Sequence, residues 1–377
     1  MITVREVRTK KEQKQFIDFP LDLYKDCPYF VPPLYGDEKK MFSPDFIYND
    51  TCDIVSYLAF DGDKVVGRIQ GIIQRAANAK NNEKRARFTR FDSIDDRQVA
   101  LSLFSAVESW AKAHGMDTVC GPLGFSDLER EGLLVEGFDQ LSTFEEQYNA
   151  EYYGGMLESL GYEKEVDWLE FKLYLPDNDD GSMKKMSDFV IKRYNLRIGE
   201  AKNIDDFIKK YGDDFFSLID KGYEDLYGTV PFTQAMKDEI IKSFKLIVDL
   251  RHVAIILDET GRAVCIGICF PSIAKAVQKS RGKLTPAALV RLLKAIKKPD
   301  VIDLGLIAVD PTYLNRGVSA IICSAVIDML KNDGIEYAET NLNLETNYSI
   351  LNQWKRFKSV NHKRRRAYIK KLSVNGD

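Results

Sequence analysis

The stretch 301–320 combines residue types that suit the binding of an anion. An apolar run typical of a buried strand, VIDLGLIAV, leads into Asp310-Pro311, then into Asn-Arg-Gly at 315–317, and then into a strongly amphipathic helix. This order brings several backbone N–H groups to one point, at the positive end of a helix dipole. Gly317 would let an anion approach the backbone closely, and Arg316 could add positive charge. A phosphate or pyrophosphate fits such a place; the alternative is a capped helix in which Gly317 serves only the turn.

This stretch belongs to the second of two similar halves of the chain. Each half begins with an apolar strand, a polar turn containing Gly and a second apolar strand, which predicts a β-hairpin. A helix with one apolar face follows, then a strand, an Asn that can open another helix, and a closing strand. The paired positions are the hairpins 55–73 and 253–270, Asn149 and Asn347, and the closing strands at about 166–175 and 364–372.

The two halves are joined by residues 175–183, LPDNDDGSM, in which turn-forming residues crowd without apolar periodicity. We therefore predict an α+β fold of two tandem domains, 1–178 and 184–377, each a twisted mixed sheet flanked by helices. The halves differ by two insertions. One is 121–148, rich in Gly and Glu, and the other is 275–298, basic and helical.

Composition narrows the class of protein. The 54 Lys+Arg and 57 Asp+Glu residues give a net charge of −3, which argues against a protein that coats nucleic acid. There is no apolar run near the roughly 20 residues that a membrane span needs, and the charged N-terminus lacks a secretory signal. The six cysteines form no C-x-x-C pair and the three histidines are scattered, so we expect no metal site. A cytoplasmic protein without a membrane partner is the expectation.

Two short motifs carry a resemblance to a known family. Val309-Asp310-Pro311 and Arg316-Gly317-Val318 resemble the strand end V-x-P and the loop R/Q-x-x-G-x-G/A of the GNAT superfamily of acyl-CoA N-acyltransferases. Leu314 and Ser319 depart from that pattern, at positions where Arg or Gln and Gly or Ala are usual. The duplication resembles a tandem GNAT protein. Segments such as VPPLYGDEKKMFSP and NAEYYGGMLESLGY resemble a bacterial group of such proteins whose substrate is uncharacterised.

The resemblance implies acetyl-CoA or another acyl-CoA as co-substrate and no metal. The loop amides would hold its pyrophosphate, and strand amides near Ile307 would polarise the thioester carbonyl. The residues implied in co-substrate binding are Ile307, Ala308, Val309, Arg316, Gly317, Val318, Ser319, Ala320 and Asn347.

Acylation of an amine also needs a base for the ammonium and an acid for the thiolate. Asp303 and Glu339, on successive strands, are candidate bases, and Tyr348 is a candidate acid; the alternative for each is a structural role. Many family members carry a Tyr as that acid where this chain has Trp354, which cannot act as an acid. Tyr223 and Tyr227 lie on the segment that lines the acceptor site in the family, or simply pack their helix.

The equivalent turn of the first half, 87–103, contains no Gly, and Asp92, Asp95 and Asp96 crowd its helix start. Carboxylates cap a helix well there but would repel a pyrophosphate. We therefore expect the first copy to have lost CoA binding. Its insertion 121–148 could line an acceptor pocket or form a surface loop.

Three functional hypotheses follow. The first is an acyl-CoA-dependent N-acyltransferase acting on a small amine or a peptide amine. The second is aminoacyl transfer from tRNA, which the nine Lys/Arg residues of 355–371 permit, although a solvated strand face explains them too. The third is a non-catalytic pair of GNAT folds that binds a ligand or a protein partner.

Overall fold

The computed structural model describes residues 1–224 and 226–373, which form an α+β protein with mixed sheets, as predicted. The strands in these residues are β1 Ile2–Glu6, β2 Cys52–Asp61, β3 Lys64–Gln74, β4 Arg85–Ser93, β5 Thr118–Gly121, β6 Leu133–Glu136, β7 Glu163–Tyr174, β8 Arg197–Ile198, β9 Val253–Leu257, β10 Ala263–Pro271, β11 Val301–Val309, β12 Tyr337–Thr340, β13 Asn343–Leu344 and β14 Lys358–Lys371. The helices are α1 Lys10–Leu23, α2 Tyr35–Lys40, α3 Arg75–Asn81, α4 Arg97–Ala113, α5 Tyr153–Ser159, α6 Ser182–Arg193, α7 Ile204–Tyr223, α8 Gln234–Ile247, α9 Ala274–Ser280, α10 Pro286–Lys297, α11 Ser319–Asn332 and α12 Tyr348–Trp354, with short 3₁₀ turns at Leu250–His252 and Pro311–Tyr313. In the described ranges we find no helix that is both long and apolar enough to cross a membrane.

The first compact unit comprises Met1–Trp168, Ala274–Val290 and 363–373. Strands β1 to β4 pair antiparallel in sequence order, and β5 lies parallel to β4 because α4 returns the chain between them. The end of β14 then pairs antiparallel with β5, from Tyr368 opposite Gly121 to Lys371 opposite Thr118. The apolar face of α4 is fully buried against this sheet.

The second compact unit comprises Leu169–Ile273 and Arg291–His362. Strands β8 to β11 pair antiparallel in sequence order, and β12 lies parallel to β11 because α11 returns the chain between them. The end of β7 pairs antiparallel with β12. Both units are discontinuous in sequence. The domain boundary at 178–184, predicted from the turn-rich linker and the repeat, stays a prediction.

The internal repeat is confirmed in the order of elements. Both predicted hairpins form, as β2–β3 and as β9–β10, and each is followed by a strand, a helix and a parallel strand. One glycine in each hairpin has the same task. A Cβ on Gly67 would lie 2.9 Å from Leu103 of α4, and a Cβ on Gly267 would lie 2.8 Å from Ile322 of α11. Only glycine therefore lets each helix approach its sheet so closely.

The two paired asparagines, Asn149 and Asn347, have different roles. Asn347 caps α12 as predicted, since its side chain accepts a hydrogen bond from the Ile350 N–H at 3.3 Å. The prediction that Asn149 opens a helix is wrong. Its buried amide bonds the N–H and the carbonyl of Leu134, at 2.6 and 3.1 Å, because it completes the pairing of β6. Of the predicted linker 175–183, residues 175–181 lack helix and strand as predicted, but Ser182 and Met183 already belong to α6. The insertion 275–298 is helical, as predicted.

Candidate functional site

Strand β11 leaves its parallel neighbour halfway along its length. Its pairing with β12 extends only to Leu304, opposite Thr340, whereas its pairing with β10 continues to Val309. The register with β10 shifts between Leu304 and Leu306, so Gly305 forms a β-bulge where the strands part. The edge of β11 over 305–309 is therefore open on the β12 side among the described strand pairs, and backbone groups there can meet a ligand.

Tyr223 covers part of this edge. Its hydroxyl, at the end of α7, donates a hydrogen bond to the Ile307 carbonyl at 3.2 Å. Ile307 and Val309 are half-buried and Ala308 is buried. The segment predicted by resemblance to line an acceptor site thus contacts the strand predicted to hold the acyl group.

The turn after β11 is braced by Asp310. This carboxylate accepts hydrogen bonds from the Thr312 N–H at 2.9 Å and from the Arg262 guanidinium at 3.1 Å. Burial raises the pKa of Asp310, but the Thr312 hydrogen bonds and the Arg262 charge outweigh it and leave the pKa below its usual value. Asn315 and Gly317 both have positive φ, 62° and 76°, which turns the chain sharply into α11.

The N-terminus of α11 has no side-chain cap. The N–H groups of Ala320 and Ile321 donate within the turn, to the carbonyls of Gly317 and Val318 at 2.9 and 3.0 Å. In the part of the chain that the structure describes, the N–H groups of 317–319 have no acceptor, so they remain available to an external one. Val318 and Ala320 are buried and fix the position of this helix start.

Arg316 stands exposed beside this helix start. Its guanidinium lies 5.0 Å from the centroid of the Tyr313 ring and 5.6 Å from that of Tyr194. The two rings hold the cation in place without neutralising it, since a cation–π contact leaves the charge intact. Sequence reasoning named Arg316 but not the two tyrosines.

Helix α12 contacts the N-terminus of α11. The Ser319 hydroxyl donates to Gln353 Oε1 at 3.0 Å, a partner that sequence reasoning missed. Tyr348, the predicted acid, follows Asn347 and is 69% exposed, so its hydroxyl is open to solvent. Trp354 is buried and its indole N–H donates to Asn343 at 3.2 Å, which makes it an anchor of this helix.

The two predicted bases are neighbours. Asp303 and Glu339 face each other in the parallel pairing of β11 and β12, one residue before the strands part. Glu339 also lies 3.2 Å from His362 Nε2, and both side chains are about 95% buried. Glu170, fully buried on β7, places a carboxylate oxygen within 4.8 Å of the ligand atoms of both. The pair Glu339–His362 can accept and hold a proton.

Glu170 and His362 were missed. For Glu170 the sequence signal was misleading, because a polar residue between Leu169 and Phe171 on a strand predicts the polar face, whereas Glu170 is buried. For His362 there was none, since no local pattern links it to Glu339. The expectation of no metal rested on sequence spacing and stays a prediction.

The corresponding helix start of the first unit is filled by the unit's own side chains. Asp96 caps α4 by accepting from the Gln98 N–H at 2.8 Å. Asp92 points elsewhere, into an ion pair with Arg68 at 2.7 Å. The Ser93 N–H donates to the hydroxyl of Tyr153 at 2.7 Å. Asp96 thus caps the helix, as expected of a carboxylate in this turn. The charge of Asp92 is compensated by Arg68. Asp95 is exposed.

Most of the basic C-terminal run, from Lys358, forms strand β14, and several of its cations face carboxylates. Arg364 and Arg366 both bond Asp167, at 3.1 and 2.8 Å. Arg365 is fully buried beside Glu146 at 3.2 Å, and Lys370 pairs with Glu108 at 2.8 Å. These contacts favour the strand interpretation of the run, because the charges are compensated inside their own unit.

Comparison with known proteins agrees with this architecture. No protein-family model matches the chain. It is 28% identical to Protein YghO of Escherichia coli (strain K12), over 98% of this chain and 95% of that protein. It is also 28% identical to the bacterial ceramide synthase of Caulobacter vibrioides, over 78% of this chain and 77% of that one. A solved tandem GNAT protein from the clavulanic acid biosynthesis pathway, without AcCoA, superimposes with a TM-score of 0.58 at 10% identity, covering all of both chains.

The fold is therefore of the GNAT type, present as two copies along the chain, and in the second unit an open strand edge lies beside a helix start. Both of the relatives named above are bacterial.

Proposed function

We propose that this protein is an acyl-CoA-dependent N-acyltransferase whose second unit binds the acyl donor. The observation that carries the proposal is the uncapped N-terminus of α11 directly after the bulged strand β11. Three N–H groups without an acceptor among the described residues, a positive helix end and the Arg316 guanidinium, which forms no ion pair within those same residues, suit the pyrophosphate of acyl-CoA. The first unit has Asp96 and Tyr153 at the matching place, which supports a single donor site.

The residues present fit the donor. The N–H groups of 317–319 and the Arg316 side chain would hold its pyrophosphate, and buried Val318 and Ala320 keep that helix start rigid. Ser319 and Asn347 stand at the starts of α11 and α12 on either side. The backbone of Ile307 to Val309 would face the acyl end. Bound acyl-CoA supplies a thioester carbonyl that an amine can attack.

The chain's own acid–base groups would handle the protons. Glu339, paired with His362, is the proposed base that takes the proton of the acceptor ammonium. Asp303 on the adjacent strand is the alternative base. Tyr348, exposed at the start of α12, is the proposed source of a proton for the departing thiolate.

The acceptor is proposed to be an amine, and its class is open to test. One relative is named a ceramide synthase, and a ceramide is the amide of a long-chain amino alcohol. That name supports including long-chain amines among the acceptors, beside small amines and peptides. A coupled assay of thiol release across these three groups would rank them. Turnover with none of them, despite donor binding, would favour the non-catalytic hypothesis.

Donor binding is tested by thermal unfolding with and without acetyl-CoA, for wild type, Gly317→Ala and Gly317→Glu. Donor at about 100 times its dissociation constant stabilises by roughly 2.7 kcal/mol, a rise of about 5–10 °C in Tm. Alanine at a φ of 76° costs about 1–2 kcal/mol of stability but keeps every N–H, so the donor should still raise the Tm of Gly317→Ala. A glutamate about 4 Å from a phosphate costs near 4 kcal/mol of binding energy at an effective dielectric of 20, so the donor should no longer raise the Tm of Gly317→Glu.

The comparison between the two variants separates charge from backbone strain. An equal rise in wild type and Gly317→Glu would contradict the proposed site. No rise in any protein, together with salt-sensitive retention of tRNA, would favour the tRNA-dependent alternative.

A further inference from the structure

The insertion 275–298 is a concentrated source of positive charge that the proposed donor site does not use. It carries eight Lys/Arg residues and no Asp or Glu, in a chain whose net charge is −3. It forms α9 and α10, joined by a turn at Arg281 and Gly282, which both have positive φ. Such a segment has a strong local field whatever the sign of the whole protein.

Helix α9 fastens this segment to the first unit. The Gln278 amide donates to the carbonyls of Pro28 and Phe30, at 2.9 and 3.0 Å. The Arg281 guanidinium donates to the Leu21 carbonyl at 2.8 Å, and the Tyr35 N–H donates to the Gly282 carbonyl at 2.9 Å. The start of α10 is therefore held in one position.

Helix α10 has two apolar faces, of which one is covered. Thr285 caps it by accepting from the Ala288 N–H at 3.2 Å, and Ala288 and Leu292 are buried at 2% and 4% exposure. The other face is open. Its three apolar side chains share a single stripe of the helix, and their exposures are 40% for Leu289, 69% for Val290 and 60% for Leu293.

The stripe is defined by the periodicity of this one helix alone, although the boundary between the compact units falls within it. Leu284, 48% exposed, adds apolar surface just before the helix. Contiguous exposed apolar side chains of this kind mark an interaction surface.

Three exposed lysines lie next to the apolar stripe. Lys294, Lys297 and Lys298 lie at its C-terminal end, and none of them has an ion-pair partner among the described residues. Apolar side chains flanked by uncompensated lysines match the boundary of a bilayer, where acyl chains meet anionic headgroups. Arg281 is paired with Asp22 at 3.2 Å, but a second copy would still bring Lys294, Lys297 and Lys298 against the same lysines, which repel. Nucleic acid offers nothing to bury the leucines.

We propose that α10 is an interfacial helix that docks this protein on an anionic phospholipid surface. Leu289, Val290 and Leu293 enter the headgroup boundary, and the lysines contact lipid phosphates. This proposal departs from the sequence expectation of no membrane partner, which rested on the lack of an apolar run long enough to span a bilayer; an interfacial helix needs no such run. The inference does not rest on the proposed acyl transfer, because neither the donor nor the acceptor takes part in docking.

Sedimentation of the full chain with lipid vesicles tests the proposal. Vesicles of phosphatidylcholine with about one third phosphatidylglycerol should bind the protein, and vesicles of pure phosphatidylcholine should bind it far more weakly. Each lysine near such a surface strengthens binding about fivefold, so changing Lys294, Lys297 and Lys298 to Gln should weaken it about a hundredfold. Binding should also fall in 0.5 M salt, about the range in which surface charges are screened.

A second variant tests the apolar stripe. Leu289→Ser/Val290→Ser/Leu293→Ser should reduce binding by tenfold or more, about what loss of three partly buried apolar side chains implies. The matched control is Met186→Ser/Phe189→Ser on α6, where equally exposed apolar residues stand beside the Lys184–Asp188 ion pair. The control should bind like wild type, and circular dichroism should show unchanged helix content in all three variants.

Several outcomes would overturn the inference. Equal binding by wild type and the serine variant would do so, as would equal binding to anionic and neutral vesicles. A dimer detected by light scattering that only the serine variant abolishes would assign the stripe to a second copy. Salt-sensitive retention of tRNA that only the glutamine variant abolishes would assign the lysines to nucleic acid. Failure of donor binding alone would leave vesicle binding intact, so the two proposals fail separately.

Discussion

Replacing Gly305 by alanine should destabilise the second unit by about 3 kcal/mol, the upper end of the usual range for an overpacked core. A Cβ on Gly305 would lie 2.6 Å from Cδ2 and 3.0 Å from Cζ of the Phe270 ring, and closer still to Cε2. Carbon atoms prefer a separation of about 3.5 Å, so the ring would have to move by about 1.5 Å to relieve its nearest atom, Cε2. Phe270 is 8% exposed and packs edge-on against Phe244, with centroids 5.9 Å apart. It therefore has little room to move.

A double-mutant cycle assigns the cost to this ring. Phe270→Ala alone should destabilise by about 3–5 kcal/mol because it leaves a cavity. In that background Gly305→Ala should cost less than about 0.5 kcal/mol, which gives a coupling energy of about 2.5 kcal/mol. Urea unfolding at 25 °C, followed by tryptophan fluorescence in a Trp110→Phe/Trp168→Phe background that leaves only Trp354 of the second unit, measures all four proteins.

The matched control is Gly212→Ala inside α7. A Cβ there would meet Ile208 at 3.6 Å, an ordinary contact, so this change should stabilise by about 0.5–1 kcal/mol. The reasoning is refuted if Gly305→Ala costs the same in both backgrounds, because the Phe270 ring would then not be the obstacle. A cost below about 0.5 kcal/mol in the wild-type background would refute it equally, since overpacking would be absent.

Two further predictions concern protons. Glu339→Gln should lower kcat about 10²–10⁴-fold, the usual contribution of a general base, and remove the acidic limb of the rate–pH profile, whereas Asp303→Asn should not; the reverse result would make Asp303 the base. Burial lowers the pKa of the His252 imidazole below 6.5, although the Asp249 carboxylate opposes this. Because the folded state then binds fewer protons than the unfolded chain, stability should fall as the pH drops below about 6.5. Urea unfolding at pH 7.5 and pH 5 should show a smaller loss for His252→Gln than for wild type, and equal losses would rule this out.

Sequence patterns predicted those helices and turns correctly whose structure is determined by residues close together in the chain. Apolar periodicity located α4 and α11, and polar turns with Gly62 and Gly261 located the two hairpins. The motif after β11 predicted a sharp turn into a helix, and Gly317 has the positive φ that such a turn requires. Each of these features depends on neighbours a few residues away.

What sequence reasoning missed depends on strand pairing between distant residues. The approach of His362 to Glu339 follows from the sheet, not from any spacing in the sequence. Asn149 has the residue type of a helix cap, but in the folded chain its amide bonds the backbone of Leu134 instead of capping a helix. The charge of the C-terminal run left both a strand face and a nucleic-acid surface open, and no spacing in the sequence shows that Asp167 accepts from both Arg364 and Arg366.

The position of β14 has a consequence for the synthesis of this protein. Strand β5 is paired with β4 on one edge and with residues 368–371 on the other. On the ribosome, the first of these neighbours exists early and the second only after the whole second unit has been translated. Chains usually complete their N-terminal domain first, but here the nascent first unit must wait with one strand edge open, the kind of edge that recruits foreign strands. This topology therefore requires that the open edge of β5 be protected from other chains until residues 368–371 have been synthesised.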